Sequence, residues 1–152
     1  MTRWLIGLVG LAFGAWVYQD VWAAGWVYED PHWLLSDGGG WARLATSATW
    51  RWAREPMMAH GLNLALHALV AVGVAALAWR VTRSRLATAV AGIGLLVQPV
   101  AVETGAYVSG GRGELLAAIG IVGSCLAVTW PSVWRWPLVV AGLGLALMAK
   151  EA

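Results

Sequence analysis

An all-α integral membrane protein is the fold class this sequence predicts, and three observations predict it. The 152-residue chain is 60% hydrophobic and 12% charged, with a mean hydropathy of +0.67. A soluble domain carries about 25% charged residues to cover its surface. The apolar residues fall into five runs, and lipid cannot satisfy a free backbone amide, so such runs must be helical. Seven of the twelve tryptophans (Trp4, Trp22, Trp26, Trp79, Trp130, Trp134 and Trp136) lie at the ends of these runs. Amphipathic indole favours that interface.

The runs cover about 4–19, 57–79, 86–102, 114–130 and 137–149, within one membrane domain over 1–152. A full span needs about 20 apolar residues at 1.5 Å rise each. The second run meets this, the third and fourth are near the minimum, and the fifth is short. This predicts four to five transmembrane helices. The first run follows Arg3 and precedes Val21-Trp22-Ala23, a passable cleavage pattern, and is read as an uncleaved signal anchor. The loop at about 20–56 holds six tryptophans, and Trp41–Arg54 reads as an interfacial amphipathic helix. Gly38-Gly39-Gly40 is a turn before it, and Pro56 opens the second span.

Charge sets the orientation. With the N-terminus in the cytoplasm, Arg3, Arg80, Arg83, Arg85 and Arg135 are cytoplasmic and all eight acids lie outside. The short loop carrying Arg80, Arg83 and Arg85 is the part the positive-inside rule weighs. Arg43, Arg51, Arg54 and Arg112 remain on the outer side. The formal net charge of +2, with no Lys/Arg run, argues against a nucleic-acid partner. One cysteine, Cys125, excludes a disulfide within the chain and reads as a small buried apolar residue.

Three constellations could carry chemistry. Glu29-Asp30 could bind a divalent cation or supply a general base, or be a solvated acidic loop. His60, Asn63 and His67 share one helix face at spacings of three and seven. They could contact a substrate phosphate, with His67 alternatively an axial ligand of a tetrapyrrole, or simply hydrogen-bond between helices. Third, Gln98–Ala118 lies between apolar runs yet carries Gln98, Glu103, Arg112 and Glu114 around a Gly110-Gly111 hinge. An unpaired charge in hydrocarbon costs roughly 2.5–3.5 kcal/mol, so the stretch reads as an outer-surface turn or a polar site. There Arg112 could clamp a phosphate bidentately or pair with Glu103. Gly10-x-x-x-Gly14 marks close helix packing, and Lys150-Glu151 reads as a helix end.

Together these residues resemble the N-terminal part of GT-C-type membrane glycosyltransferases, closest to the group with tetratricopeptide repeats, the bacterial relatives of the eukaryotic transmembrane-and-TPR O-mannosyltransferases. The residues that carry the resemblance are Tyr28-Glu29-Asp30, His60-Gly61-Leu62-Asn63 with His67, and Gln98-Pro99 with Glu103. Ser109-Gly110 with Arg112, Leu115-Leu116-Ala117, and Ala149-Lys150-Glu151 complete it. The family motif has Asp at Glu29 and His at Gln98, and Gly111 is an added residue before Arg112. The resemblance implies a polyprenyl-phosphate sugar donor and an acceptor on the outer side of a bacterial inner membrane. It makes Asp30 the base with Glu29 beside it. His60, Asn63, Glu103, Arg112 and Lys150 become substrate contacts, with His60, Arg112 and Lys150 steadying the donor phosphate.

Family members have at least about twice as many spans, and a lipid-linked donor needs a walled groove. The expectation from sequence is therefore a non-catalytic accessory subunit, lying among lipids and other membrane subunits of an energy-converting or pigment-bearing complex. The alternative is the catalytic part of a split glycosyltransferase.

Overall fold

The computed structural model describes residues 12, 15–23, 25, 44–50, 55–98 and 108–149. Among the described residues every regular element is helical. A 3-10 turn covers Gln19–Ala23, and five α-helices follow. They are α1 (Leu44–Trp50), α2 (Pro56–Thr82), α3 (Arg85–Val97), α4 (Val108–Val128) and α5 (Arg135–Ala149).

Local chemistry explains the boundaries. Pro56 opens α2 where its missing N–H is no loss, after an extended Glu55. Arg83 closes the helix in the left-handed region, with φ 54°, and its N–H returns to Trp79 O at 3.0 Å. Ser84 then caps α3, its hydroxyl accepting from Ala87 N at 3.3 Å. Two residues thus turn the chain from α2 into α3. α3 ends at Val97 because Gln98 precedes Pro99, and the proline ring forces the residue before it out of the helical region. Gln98 accordingly has ψ 129°.

These bounds correct several expectations. The third span stops at Val97, not near 102, so it has 13 residues. The expected Gly110-Gly111 hinge is helical, and α4 begins at Val108. The last helix begins at Arg135, two residues earlier than expected. Of the expected amphipathic helix over 41–54, residues 44–50 are described and helical. Of the first span, 12 and 15–17 are described and helical. Among the described residues two helices are long and apolar enough to cross a membrane, Pro56–Thr82 and Gly111–Val128, while α3 and α5 are shorter apolar helices.

The four long helices lie side by side in the order α3, α2, α4, α5, and α1 rests on α4 and α5. Contacts fix their directions. Arg112 meets Ala59 and Asn63 while Gly73 meets Val122, so α2 and α4 run parallel. Gly113 meets Ala149, Gly120 meets Ala146, and Ser124 bonds Val139 O, so α5 runs antiparallel to α4. The start of α2, the start of α4 and the end of α5 therefore share one end of the layer. The α2–α3 turn and the α4–α5 turn share the opposite end.

The centre of this layer is not an oily core. A small apolar cluster of Leu116, Ala117 and Ala149 forms part of it, with Ala45, Leu66 and Ala146 against it. Among the described residues the largest fully buried side chains are Arg112, His60 and Asn63. Large apolar side chains instead point outward, among them Val72, Val90, Ile121, Val140 and Leu147. Lipid-like surroundings make that inversion favourable, since helices in membranes associate through small-residue packing and interhelical hydrogen bonds.

Candidate functional site

The polar centre is built from three helices at the shared end. On α2, the 3.6-residue period stacks Ala59, His60, Asn63 and His67 on one buried side. α4 delivers Arg112 to it. Arg112 Nε donates to Asn63 Oδ1 at 3.0 Å, and Nη2 donates to Ala59 O at 3.1 Å. Both bonds cross between helices, and Arg112, His60 and Asn63 are each 0% exposed.

His60 points the other way along the sequence. Its Nε2 lies 3.2 Å from Gly25 O, which ties the stretch preceding Glu29-Asp30 to the start of α2. Its Nδ1 is buried and has no hydrogen-bond partner.

α5 closes the site from the far side. Ala149 O accepts from Thr46 Oγ1 at 2.8 Å, a buried bond from α1. A side chain on Gly113 would come within 2.9 Å of that same carbonyl. The residue before Lys150 is therefore packed against the residue after Arg112.

His67 sits two turns deeper on α2, 2% exposed. Its ring meets Tyr18 edge-on at 5.8 Å and reaches the backbone carbonyls of Leu95 and Leu96. The Tyr18 hydroxyl donates to Leu96 O at 3.1 Å. This second polar cluster holds the first segment, α2 and the end of α3 together. His67 Nε2 is buried without a partner.

The structure thus brings His60, Asn63 and Arg112 together at one end and leaves His67 separate from them. Asp30, Glu29, Glu103 and Lys150 lie outside the described residues, as do the Glu29/Asp30 cation site and any Glu103–Arg112 pair. Among the described residues no group of three or more His, Cys, Asp or Glu could hold a metal ion. Cys125 corrects an expectation: it is exposed, because it lies on the side of α4 away from buried Ser124 and Ala127.

Sequence reasoning missed Thr46, Tyr18, and the carbonyls of Gly25, Ala59 and Ala149. Backbone acceptors carry no sequence signal. Thr46 and Tyr18 had weak ones, as hydroxyls in stretches otherwise suited to lipid.

Comparison with protein-family models, with curated proteins and with solved structures gives no match.

Proposed function

We propose that the chain forms part of the outer-side substrate site of a GT-C-like glycosyltransferase that uses a polyprenyl-phosphate sugar. One observation carries this reading. Segments singled out by the resemblance, separated by 49 and 53 residues in sequence, meet in one fully buried polar cluster. Arg112 joins the His60–Asn63 helix, and Ala149, next to Lys150, packs against Gly113. Polar groups held this deep among apolar helices mark function by default, because their burial is costly.

In this reading Asp30 accepts the proton of an acceptor hydroxyl. The acceptor oxygen bonds to the anomeric carbon, the sugar–phosphate C–O bond breaks, and polyprenyl phosphate leaves. Glu29 supports Asp30, and Arg112 and Lys150 offset the charge on the departing phosphate. The membrane is a bacterial inner membrane with the arginine-rich end in the cytoplasm. The common position of Arg80, Arg83, Arg85 and Arg135 at the opposite end of the layer supports that orientation.

The test is sugar transfer from a polyprenyl-phosphate sugar by membranes carrying the chain with its native partners. Asp30→Asn should lower transfer by at least about 100-fold, the scale of a lost general base. Unchanged transfer would sink the reading.

A second reading is a non-catalytic accessory subunit of a larger membrane assembly. It is favoured by the two bonds Arg112 makes to α2 at 0% exposure, a geometry that pins helices whether or not a substrate binds. Identifying the chains that purify with it separates the two. Partners unrelated to sugar transfer would favour the accessory role.

A further inference from the structure

His60 is a permanently oriented imidazole, and its orientation decides what it can do. Gly25 O is a carbonyl and can only accept, so the Nε2 atom 3.2 Å away carries the hydrogen and donates it. In a neutral ring that hydrogen bond fixes which nitrogen carries the hydrogen. Nδ1 is left as a bare lone pair, and it is buried and without a partner in a side chain that is 0% exposed. Buried polar atoms are almost always satisfied, so this lone pair is a place where a ligand's donor can be received.

That donor cannot be a fully ionised phosphate, which presents only acceptors. On a neutral ring Nδ1 can only accept. A hydroxyl fits it, because the O–H can point at Nδ1. Arg112 is close by: it bonds Ala59 O, the carbonyl immediately before His60, and Asn63, one turn further on. Both side chains therefore belong to one buried polar cluster, and a sugar phosphate is the ligand class that carries hydroxyls beside an anionic group.

We propose that His60 Nδ1 accepts a hydrogen bond from a hydroxyl of the donor sugar, and so discriminates a sugar-loaded lipid phosphate from the bare lipid phosphate. This rests on the glycosyltransferase reading above. His60 is a positioning and specificity residue here, and it moves no proton in the transfer.

The variant His60→Gln separates the two ring nitrogens. A glutamine amide overlays Nε2 and can still donate to Gly25 O, but offers nothing at the Nδ1 position. The probes are undecaprenyl phosphate and undecaprenyl-phosphate mannose, with binding measured on the full chain in nanodiscs together with its native partners. The parent should bind the mannose-bearing lipid more tightly than the bare one. His60→Gln should lose about tenfold in affinity for the mannose-bearing lipid and none for the bare lipid, which also shows that the variant is folded. Nitrogen-15 spectra of histidine-labelled protein should show His60 Nδ1 as the unprotonated nitrogen without lipid. Parent protein that binds both lipids alike, or binds neither, overturns the glycosyltransferase reading and this proposal with it. Parent protein that discriminates while His60→Gln discriminates equally well overturns the proposal alone. So does a spectrum with the hydrogen on Nδ1.

Discussion

Arg112 on α4 donates from Nε to Asn63 Oδ1 on α2 at 3.0 Å, across 49 residues of sequence, and neither side chain has exposed surface. Neutral hydrogen bonds between membrane helices average only about 0.6 kcal/mol, because the separated helices find other partners. Bonds to a charged group reach about 1.5–3 kcal/mol. The charged donor decides here. Asn63→Ala should cost about 2 kcal/mol, since it strands part of a buried guanidinium. Arg112→Met removes the charge as well and should cost less than that. The double variant should then show a coupling of at least about 1 kcal/mol. Unfolding in detergent, followed for the four proteins of the cycle, measures it; additive losses would show that the bond holds nothing.

The α4–α5 contact depends on glycine for a different reason. A side chain on Gly120 would run into Gly142 O and lie 2.9 Å from Ala146 N, both backbone atoms that cannot swing aside. Gly144, on the same helix pair, has nothing within 4 Å of where its side chain would be. Helix propensity alone favours alanine over glycine by about 0.8–1 kcal/mol. Gly144→Ala should therefore be neutral or slightly stabilising. Gly120→Ala should lose about 1–3 kcal/mol to overpacking. Melting temperatures of the two variants decide this, and equal behaviour would mean that α4 and α5 do not approach so closely.

How much of this was legible in the sequence depended on what each feature rests on. Helicity was legible, because long apolar runs leave the backbone no other partner than itself. The start of α2 was legible at Pro56. The end of α3 was not read, although Pro99 signalled it: apolarity continued to Val102 and outweighed the proline. Gly110-Gly111 misled in the opposite sense. Glycine in a helix costs stability, but here Gly111 and Gly113 are buried and the latter admits Ala149 O against α4. The gathering of His60, Asn63 and Arg112 was anticipated only through the resemblance. Spacing alone put the first two on one face and could not reach across 49 residues to the third. The side from which Gly25 and Thr46 close the site depends on backbone carbonyls, which no residue pattern reports.

Thr46 should behave as a latch. Its hydroxyl gives the Ala149 carbonyl on α5 a partner at 2.8 Å, in a buried setting, and that bond ties α1 to α5. Thr46→Val keeps the shape and removes the donor, leaving Ala149 O without it. The expected loss is about 1 kcal/mol of global stability. The larger local effect should be faster amide exchange over 44–50 than in the parent, with α2 unchanged. Exchange followed by mass spectrometry reads both, and uniform change across the chain would count against a latch.

The two ends of the helix layer differ in charge, and this predicts how the chain sits in its membrane. Arg80, Arg83, Arg85 and Arg135 occupy the end with the α2–α3 and α4–α5 turns, where exposed Trp79, Trp130, Trp134 and Trp136 also lie. Among the described residues the acids Asp20, Glu55 and Glu114 are at the opposite end, Asp20 between Tyr18, which bonds Leu96 O, and Gly25, which meets His60. The arginine end should therefore face the cytoplasm. Cys125 is exposed and must first be replaced by alanine, so that a single new cysteine reports alone. Ser84→Cys then lies in the two-residue turn between Arg83 and Arg85, and Glu55→Cys precedes α2. With intact cells, a membrane-impermeant thiol reagent should label the cysteine at 55 and reach the one at 84 only after the membrane is opened. Changing Arg80, Arg83 and Arg85 together to glutamate should weaken that preference, giving a mixed population labelled at either position. Labelling at 84 in intact cells with the arginines in place would reverse the orientation, and the polar centre around Arg112 would then face the cytoplasm.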